Sequence, residues 1–300
     1  MSNTTKAHVA IFIVGVIYGL NYVIAKDVMQ GYVQPRGFIF IRVIGASLLF
    51  WLFHSSAKAE KIERKDFVRI ALCGLTGVAL NQMMFFEGLN LTTAINASII
   101  MTSSPIIVLL ISAIVFKEKL TPAKIIGISL GAAGATYLIA GNKEVSLLES
   151  STSLGNLYVF INALSYSIYL ILVKPLMAKY QALTVIKWVF LAGFLFVLPF
   201  GAGQFLEVEW SAMGWKIILE IAFVVIFTTF VAYLFNVFAL KTLSSTVVSS
   251  YIYIQPFFAT AAAIALKVEV LTWPQVVAAA LIFTGVYLVS FSKKKLPKPV

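Results

Sequence analysis

Three ionisable side chains sit well inside apolar stretches of this chain: Arg42, Glu87 and Glu220. A charge at the centre of a bilayer costs about 2.5–3.5 kcal/mol on insertion scales, so such groups face a bundle interior or water. Arg42 lies six residues into its block, roughly 9 Å at 1.5 Å per residue. Glu87 lies near the same end of the next block, which predicts an Arg42–Glu87 ion pair on one side of a cavity. Glu87 is alternatively a proton-coupling group, whereas Glu220 reads as a side chain snorkelling outward.

Uncharged polar residues recur at helical spacing. Tyr18 and Asn21 share one helix face, and Asn162, Ser165, Tyr166 and Tyr169 share another. Asn81 and Gln82 accompany Glu87; Thr229, Tyr233 and Asn236 form a further stripe. Asn96, Thr102, Ser103 and Ser104 precede or adjoin Pro105, as Tyr251, Tyr253 and Gln255 precede Pro256. Taken singly, each reads first as a helix-to-helix hydrogen bond, worth about 0.6 kcal/mol. Together they predict the lining of one cavity: Tyr18, Asn21, Arg42, Asn81, Gln82, Glu87, Asn96, Asn162, Tyr166, Tyr169, Tyr233, Asn236, Tyr251 and Gln255. Arg42 or the amides suit a carboxylate, and tyrosine faces suit an ammonium group. An amino acid has both.

Other chemistries are poorly supplied. His8 and His54 sit at block edges, and Cys73, the one cysteine, lies inside a block. That leaves no intrachain disulfide and no thiol metal site. No cofactor is expected. An enzyme wants a nucleophile with its base or converging acids and histidines, and an ATP-driven pump wants a phosphate-binding G-x-x-x-x-G-K-[ST] loop; the chain carries neither. Asn90-Leu91-Thr92 and Asn96-Ala97-Ser98 match the glycosylation triplet, but they fall at or within a span.

The elements that position these residues follow from composition. The chain has 300 residues, 60% hydrophobic and 12% charged, with mean hydropathy +0.95. Soluble domains carry about 25% charged residues, so this chain cannot cover a soluble surface. Its apolar residues form unbroken blocks, which argues for helices over a barrel. A spanning helix needs about 20 apolar residues, and ten blocks qualify: 7–25, 37–53, 68–88, 94–116, 123–140, 155–173, 183–203, 216–238, 245–266 and 274–292. The first is read as a retained span rather than a signal peptide, because it is longer than the usual apolar region of about 7–15 residues.

The net charge of +11 would suggest nucleic acid in a soluble protein; here position matters more. With the N-terminus inside, the cytoplasmic set is Lys6, Lys58, Lys61, Arg64, Lys65, Arg69, Lys117, Lys119, Lys124, Lys174, Lys179, Lys187, Lys241, Lys293, Lys294, Lys295 and Lys298, which is 17. Five remain outside: Lys26, Arg36, Lys143, Lys216 and Lys267. The positive-inside rule places both termini in the cytoplasm, and residues 293–300 form a basic tail at the inner leaflet. No nucleic-acid partner is needed. A monomer or weak homodimer in a bacterial inner membrane is expected.

The chain also repeats itself. Pro105, Glu118-Lys119-Leu120-Thr121 and Gly134 recur as Pro256, Glu269-Val270-Leu271-Thr272 and Gly285, each displaced by 151. Leu89/Leu240 and Ser98/Ser249 keep that displacement, while Tyr18, Lys26, Met29 and Gly45 match Tyr166, Lys174, Met177 and Gly193 at 148. The expectation is an all-α polytopic membrane protein of ten transmembrane helices in two five-helix repeats, 1–140 and 155–292. An odd number of spans inverts the second copy, an arrangement typical of alternating-access transporters. Pro105 and Pro256 fall mid-span, where proline kinks a helix, and are candidate hinges. Thr121-Pro122 and Thr272-Trp273-Pro274-Gln275 read as helix starts. Glu118 and Glu269, just before them, read as polar ends or local ion pairs. Gly127, Gly131 and Gly134 read as packing notches.

The run from Phe86 through Ile100, followed by Pro105 and the Glu118–Thr121 turn, resembles the EamA family of the drug/metabolite transporter superfamily. Pro35 followed by Arg42 is also similar, and the resemblance covers nearly the whole chain. The second copy diverges, with Lys241–Thr246 standing where the first has Asn90–Ile95. The resemblance implies two inverted five-helix repeats around a central cavity and an inner-membrane exporter of amino acids or related small metabolites. Drug or quaternary-ammonium efflux is the competing reading. Such a pump needs a buried acid, and only Glu87 offers one.

Overall fold

A computed structural model describes residues 2–54, 60–116, 121–140 and 151–291. Glu118, Lys143 and the basic tail 293–300 lie outside the described residues. Every regular element among the described residues is helical, as a bilayer demands of a chain that must satisfy its own backbone.

The helices are α1 (Asn3–Met29), α2 (Pro35–His54), α3 (Asp66–Leu91), α4 (Ala94–Met101), α5 (Ser104–Phe116), α6 (Pro122–Ala140), α7 (Ser151–Lys179), α8 (Ala182–Leu206), α9 (Trp215–Thr242), α10 (Ser245–Ser250), α11 (Gln255–Ala265) and α12 (Trp273–Phe291). Eight stretches among the described residues are long and apolar enough to cross a membrane. α6 and α12 add two shorter apolar cores, Ile125–Gly134 and Trp273–Gly285. These two helices pack on each other through small residues: a Cβ on Gly134 would lie 2.7 Å from Ile282, and one on Gly285 would lie 2.4 Å from the Gly127 carbonyl. Such notches let membrane helices approach closely.

Starts and stops follow the side chains. The Ser2 hydroxyl caps α1 by accepting from Thr5 N, Thr93 caps α4 by accepting from Asn96 N, and Ser244 caps α10 by accepting from Val247 N. At α12 the Gln275 side chain reaches back to Thr272 N at 2.8 Å, one half of a capping box.

Proline acts differently from the expectation of a kink in a continuous helix. The apolar stretch 94–116 is two helices, α4 and α5, with Pro105 the second residue of α5. A 3-10 turn, Tyr251–Ile254, separates α10 from α11, and Pro256 is the second residue of α11. In a first turn proline's missing N–H has no helical acceptor to lose. The Thr102 and Ser103 hydroxyls donate to Ile99 O and Ile100 O at 2.6 and 2.8 Å, occupying carbonyls at the break.

Two wide turns were not foreseen. Leu75–Ala79 within α3 and Val224–Val231 within α9 are π-helical, a geometry that often marks functional sites. Neighbouring helices use the carbonyls it turns outward. Ser165 donates to Thr76 O at 2.6 Å and Tyr233 to Gly77 O at 2.7 Å. Gly77 cannot be larger, because its Cβ would lie 2.3 Å from the Tyr169 ring.

Candidate functional site

A cavity of about 60 Å³ lies where α1, α2, α3, α4, α7, α9 and α11 converge. Nine of the expected residues line it: Tyr18, Asn21, Arg42, Asn81, Gln82, Asn162, Tyr166, Tyr233 and Gln255. Tyr22, Phe85, Phe86, Met101, Thr228 and Ile252 complete the wall.

Reciprocal amides join α3 to α7. Asn162 Nδ2 donates to Asn81 O at 2.7 Å, and Asn81 Nδ2 to Asn162 O at 3.4 Å. Tyr22 donates its hydroxyl to Gln255 Oε1 at 2.9 Å, which joins α1 to α11. Gln82 Nε2 approaches the Tyr233 hydroxyl at 3.4 Å. Arg42 is 3% exposed; its Nε donates to Thr229 Oγ1 at 3.0 Å, and its guanidinium carbon lies 4.4 Å from the Phe86 ring centre. Four buried oxygens of these lining side chains have no hydrogen-bond partner among the described residues: Asn21 Oδ1, Gln82 Oε1, Asn162 Oδ1 and Thr228 Oγ1.

The remaining expected residues lie elsewhere. Tyr251 and Asn236 line a smaller adjoining cleft that shares Tyr18, Tyr166, Ile252 and Gln255 with the main one. There Tyr166 donates to Asn236 Oδ1 at 3.2 Å, and Tyr251 hydrogen bonds His8 Nδ1 at 2.8 Å. Tyr169 is fully buried behind the wall, packed on Gly77 and on the Tyr233 ring. Asn96 belongs to a helix end, where Gln275 Nε2 donates to its Oδ1 at 2.8 Å.

The expected Arg42–Glu87 pair does not form. Glu87 accepts from Arg36 Nε at 2.7 Å. Depth explains the exchange. Arg36 is the second residue of α2 and Glu87 lies four residues before the end of α3, so the two stand level. Arg42 is six residues deeper, roughly 9 Å away along the axis. Glu220 lies 3.6 Å from Lys216, which also pairs with Asp27.

Tyr22 had a signal in the sequence, because it follows Tyr18 by one helical turn. Phe85 follows Asn81 in the same way. That Phe86 would lie beneath a guanidinium had none, since it depends on how α2 packs against α3. Among the described residues no group of three His, Cys, Asp or Glu side chains stands ready for a metal. The wall offers one cation, amides, hydroxyls and ring faces. It can bind and release a small polar solute, and it holds no nucleophile with an adjacent base.

The sequence profile of the EamA-like transporter family matches residues 5–140 and 153–291. An uncharacterized transporter of Archaeoglobus fulgidus is 26% identical over 258 residues, 85% of this chain and 86% of that protein. A Streptantibioticus cattleyicolor protein named a probable terminal-alkyne amino-acid exporter is 26% identical over 171 residues, 57% of this chain and 56% of that protein. A solved crystal structure superposes with a TM-score of 0.67 over 95% of this chain and 96% of its own, at 17% identity. The chain belongs to the EamA-like transporter family.

Proposed function

We propose that this transporter is a secondary carrier that exports small metabolites such as amino acids across a bacterial inner membrane by alternating access. In this reading ten spans form two inverted halves, 1–140 and 155–292, with both termini cytoplasmic. The chain works as a monomer or weak homodimer. The observation that carries the reading is a cavity with amide, tyrosine and arginine side chains among its lining residues, contributed by helices of both halves. In inverted-repeat carriers the substrate site lies at that interface.

The internal repeat supports the same scheme. The 151-residue displacement maps the π-helical turn Leu75–Ala79 onto 226–230, within Val224–Val231. It also maps the caps Thr93 and Ser244, and the prolines Pro105 and Pro256, onto each other. Gly45 and Gly193 each sit against a π-helical turn of the other half: their Cβ atoms would lie 2.8 Å from Val225 and 2.5 Å from Val78. The broken helices α4/α5 and α10/α11 then act as the hinges. Their breaks border the wall, at Met101 on one side and Ile252 with Gln255 on the other. Amino-acid cargo draws support from the amides and Arg42, and from the Streptantibioticus relative's name as a probable amino-acid exporter.

A flux screen in proteoliposomes tests this reading. Purified full chain, with and without a proton gradient, is offered a panel of small metabolites read by mass spectrometry. Counterflow of at least one polar metabolite is expected. A gradient effect lost in Glu87→Gln assigns proton coupling to Glu87, and flux indifferent to both describes a facilitator. No counterflow of any solute overturns the carrier reading.

A further inference from the structure

Among the described residues Arg42 is the one charged side chain on the cavity wall, and no carboxylate among them pairs with it. Its Nε is held by Thr229 and its face by Phe86, while no hydrogen bond among the described residues engages its two terminal nitrogens. A buried cation without a counter-ion is among the least stable arrangements a protein interior can hold. The four buried oxygens of the lining side chains Asn21, Gln82, Asn162 and Thr228 are also without partners among the described residues. Asn162 has committed its own amide nitrogen to Asn81 O, so its oxygen is the free end. A site with an unmatched fork of donors and a set of unmatched acceptors matches a solute carrying the opposite groups.

We propose that Arg42 anchors the carboxylate of the transported solute, and that amide and hydroxyl groups of the same wall take its hydrogen-bond donors, ammonium or hydroxyl. The substrate class is therefore a small carboxylate with donor groups, and solutes that carry only a positive charge are rejected. The guanidinium fork pairs with a carboxylate through two parallel bonds. The same uncompensated charge raises the potential of the whole cavity and repels a bare cation. Phe85, Met101 and Ile252 add apolar wall that the hydrocarbon part of a solute can contact. This assignment rests on the carrier reading above and sharpens it.

The test uses the full chain in proteoliposomes, offered one mixture of the proteinogenic amino acids, their carboxamides and simple aliphatic amines. Carboxylates exchange and carboxamides and amines do not. Arg42→Gln lowers carboxylate counterflow about 30-fold at low solute, the loss expected for hydrogen bonds to a charged group. Arg42→Lys, which keeps the charge and loses the fork, retains an intermediate rate. Without solute, Arg42→Gln melts in detergent no lower than wild type, because it removes an unpaired buried charge. Carboxamides carried as fast as acids, or undiminished carboxylate flux in Arg42→Gln, overturns the anchor while leaving the carrier intact. A melting point several degrees below wild type in Arg42→Gln reassigns the residue to packing and also overturns it. No flux of any solute through folded wild-type protein removes the carrier reading and this assignment with it.

Discussion

The turn joining α3 to α4 and the turn joining α9 to α10 are built from the same parts at opposite ends of the bundle. In each, a hydroxyl caps the second helix, Thr93 in one and Ser244 in the other. In each, a lysine from the end of a long helix donates to the carbonyls of the turn. Lys26 reaches Thr92 O; Lys174 reaches Leu240 O and, at 2.6 Å, Leu243 O. At the first of them a carboxylate joins in, whereas Glu118, the counterpart of Glu269 by the repeat, lies outside the described residues. At the Lys26 end Glu269 takes Ala94 N at 2.7 Å and Ile95 N at 3.0 Å, and it lies 3.7 Å from Lys26. Gln275 adds a bond to Asn96. Among the described residues no carboxylate pairs with Lys174.

The Lys26 end is thus fastened between the two family-matched segments, 5–140 and 153–291: a side chain from one caps a helix of the other. A carboxylate on the first N–H groups of a helix is favoured by both hydrogen bonding and the helix dipole.

Removing the fastening has the largest expected effect. Glu269→Gln loses the charge that both helix N–H groups and Lys26 share, and costs about 2 kcal/mol, read by unfolding in detergent. An unchanged stability breaks the comparison at once. Lys26→Met follows, at about 1.5 kcal/mol, since it leaves Glu269 half-buried without its cation. Lys174→Met, which frees the Leu240 and Leu243 carbonyls, costs about 1 kcal/mol; equal losses for the two lysines would show the second turn fastened as firmly as the first. Of the caps, Thr93→Ala costs about 1 kcal/mol and Ser244→Ala somewhat less, because Thr93 also accepts weakly from Gln275 at 3.4 Å. The smallest effect is a gain. Lys267 ends α11 at φ 56 and turns the chain toward Glu269, so Lys267→Gly relieves strain and stabilises by about 0.5 kcal/mol.

Much of this was legible beforehand. Apolar blocks marked most helices to within a few residues, since the bilayer sets their length, but 94–116 and 245–266 each hold two. Helical periodicity placed Tyr18 with Asn21, and Asn162 with Tyr166, on shared faces that do meet in one cavity. The same reasoning put Tyr169 on that wall, whereas it packs behind it against Gly77. Periodicity gives a helix face, but it does not say where a ring's width will be accommodated. Glu269 was read as a polar helix end or a local ion pair. Its use by Ala94 and Ile95, about 175 residues away, depends on two loops meeting in space.

Composition and charge spacing determined that this chain lives among lipids as a bundle of helices, because a bilayer tolerates few other backbones. The repeat alone pointed to the paired turns and to Lys26 and Lys174. Only the tertiary structure decided which charges found partners. An ion pair needs both depth and facing direction to agree within a few ångström, and a one-dimensional pattern resolves neither between helices. For that reason Glu87 pairs with Arg36, and Arg42 meets Thr229 and Phe86 but no carboxylate among the described residues.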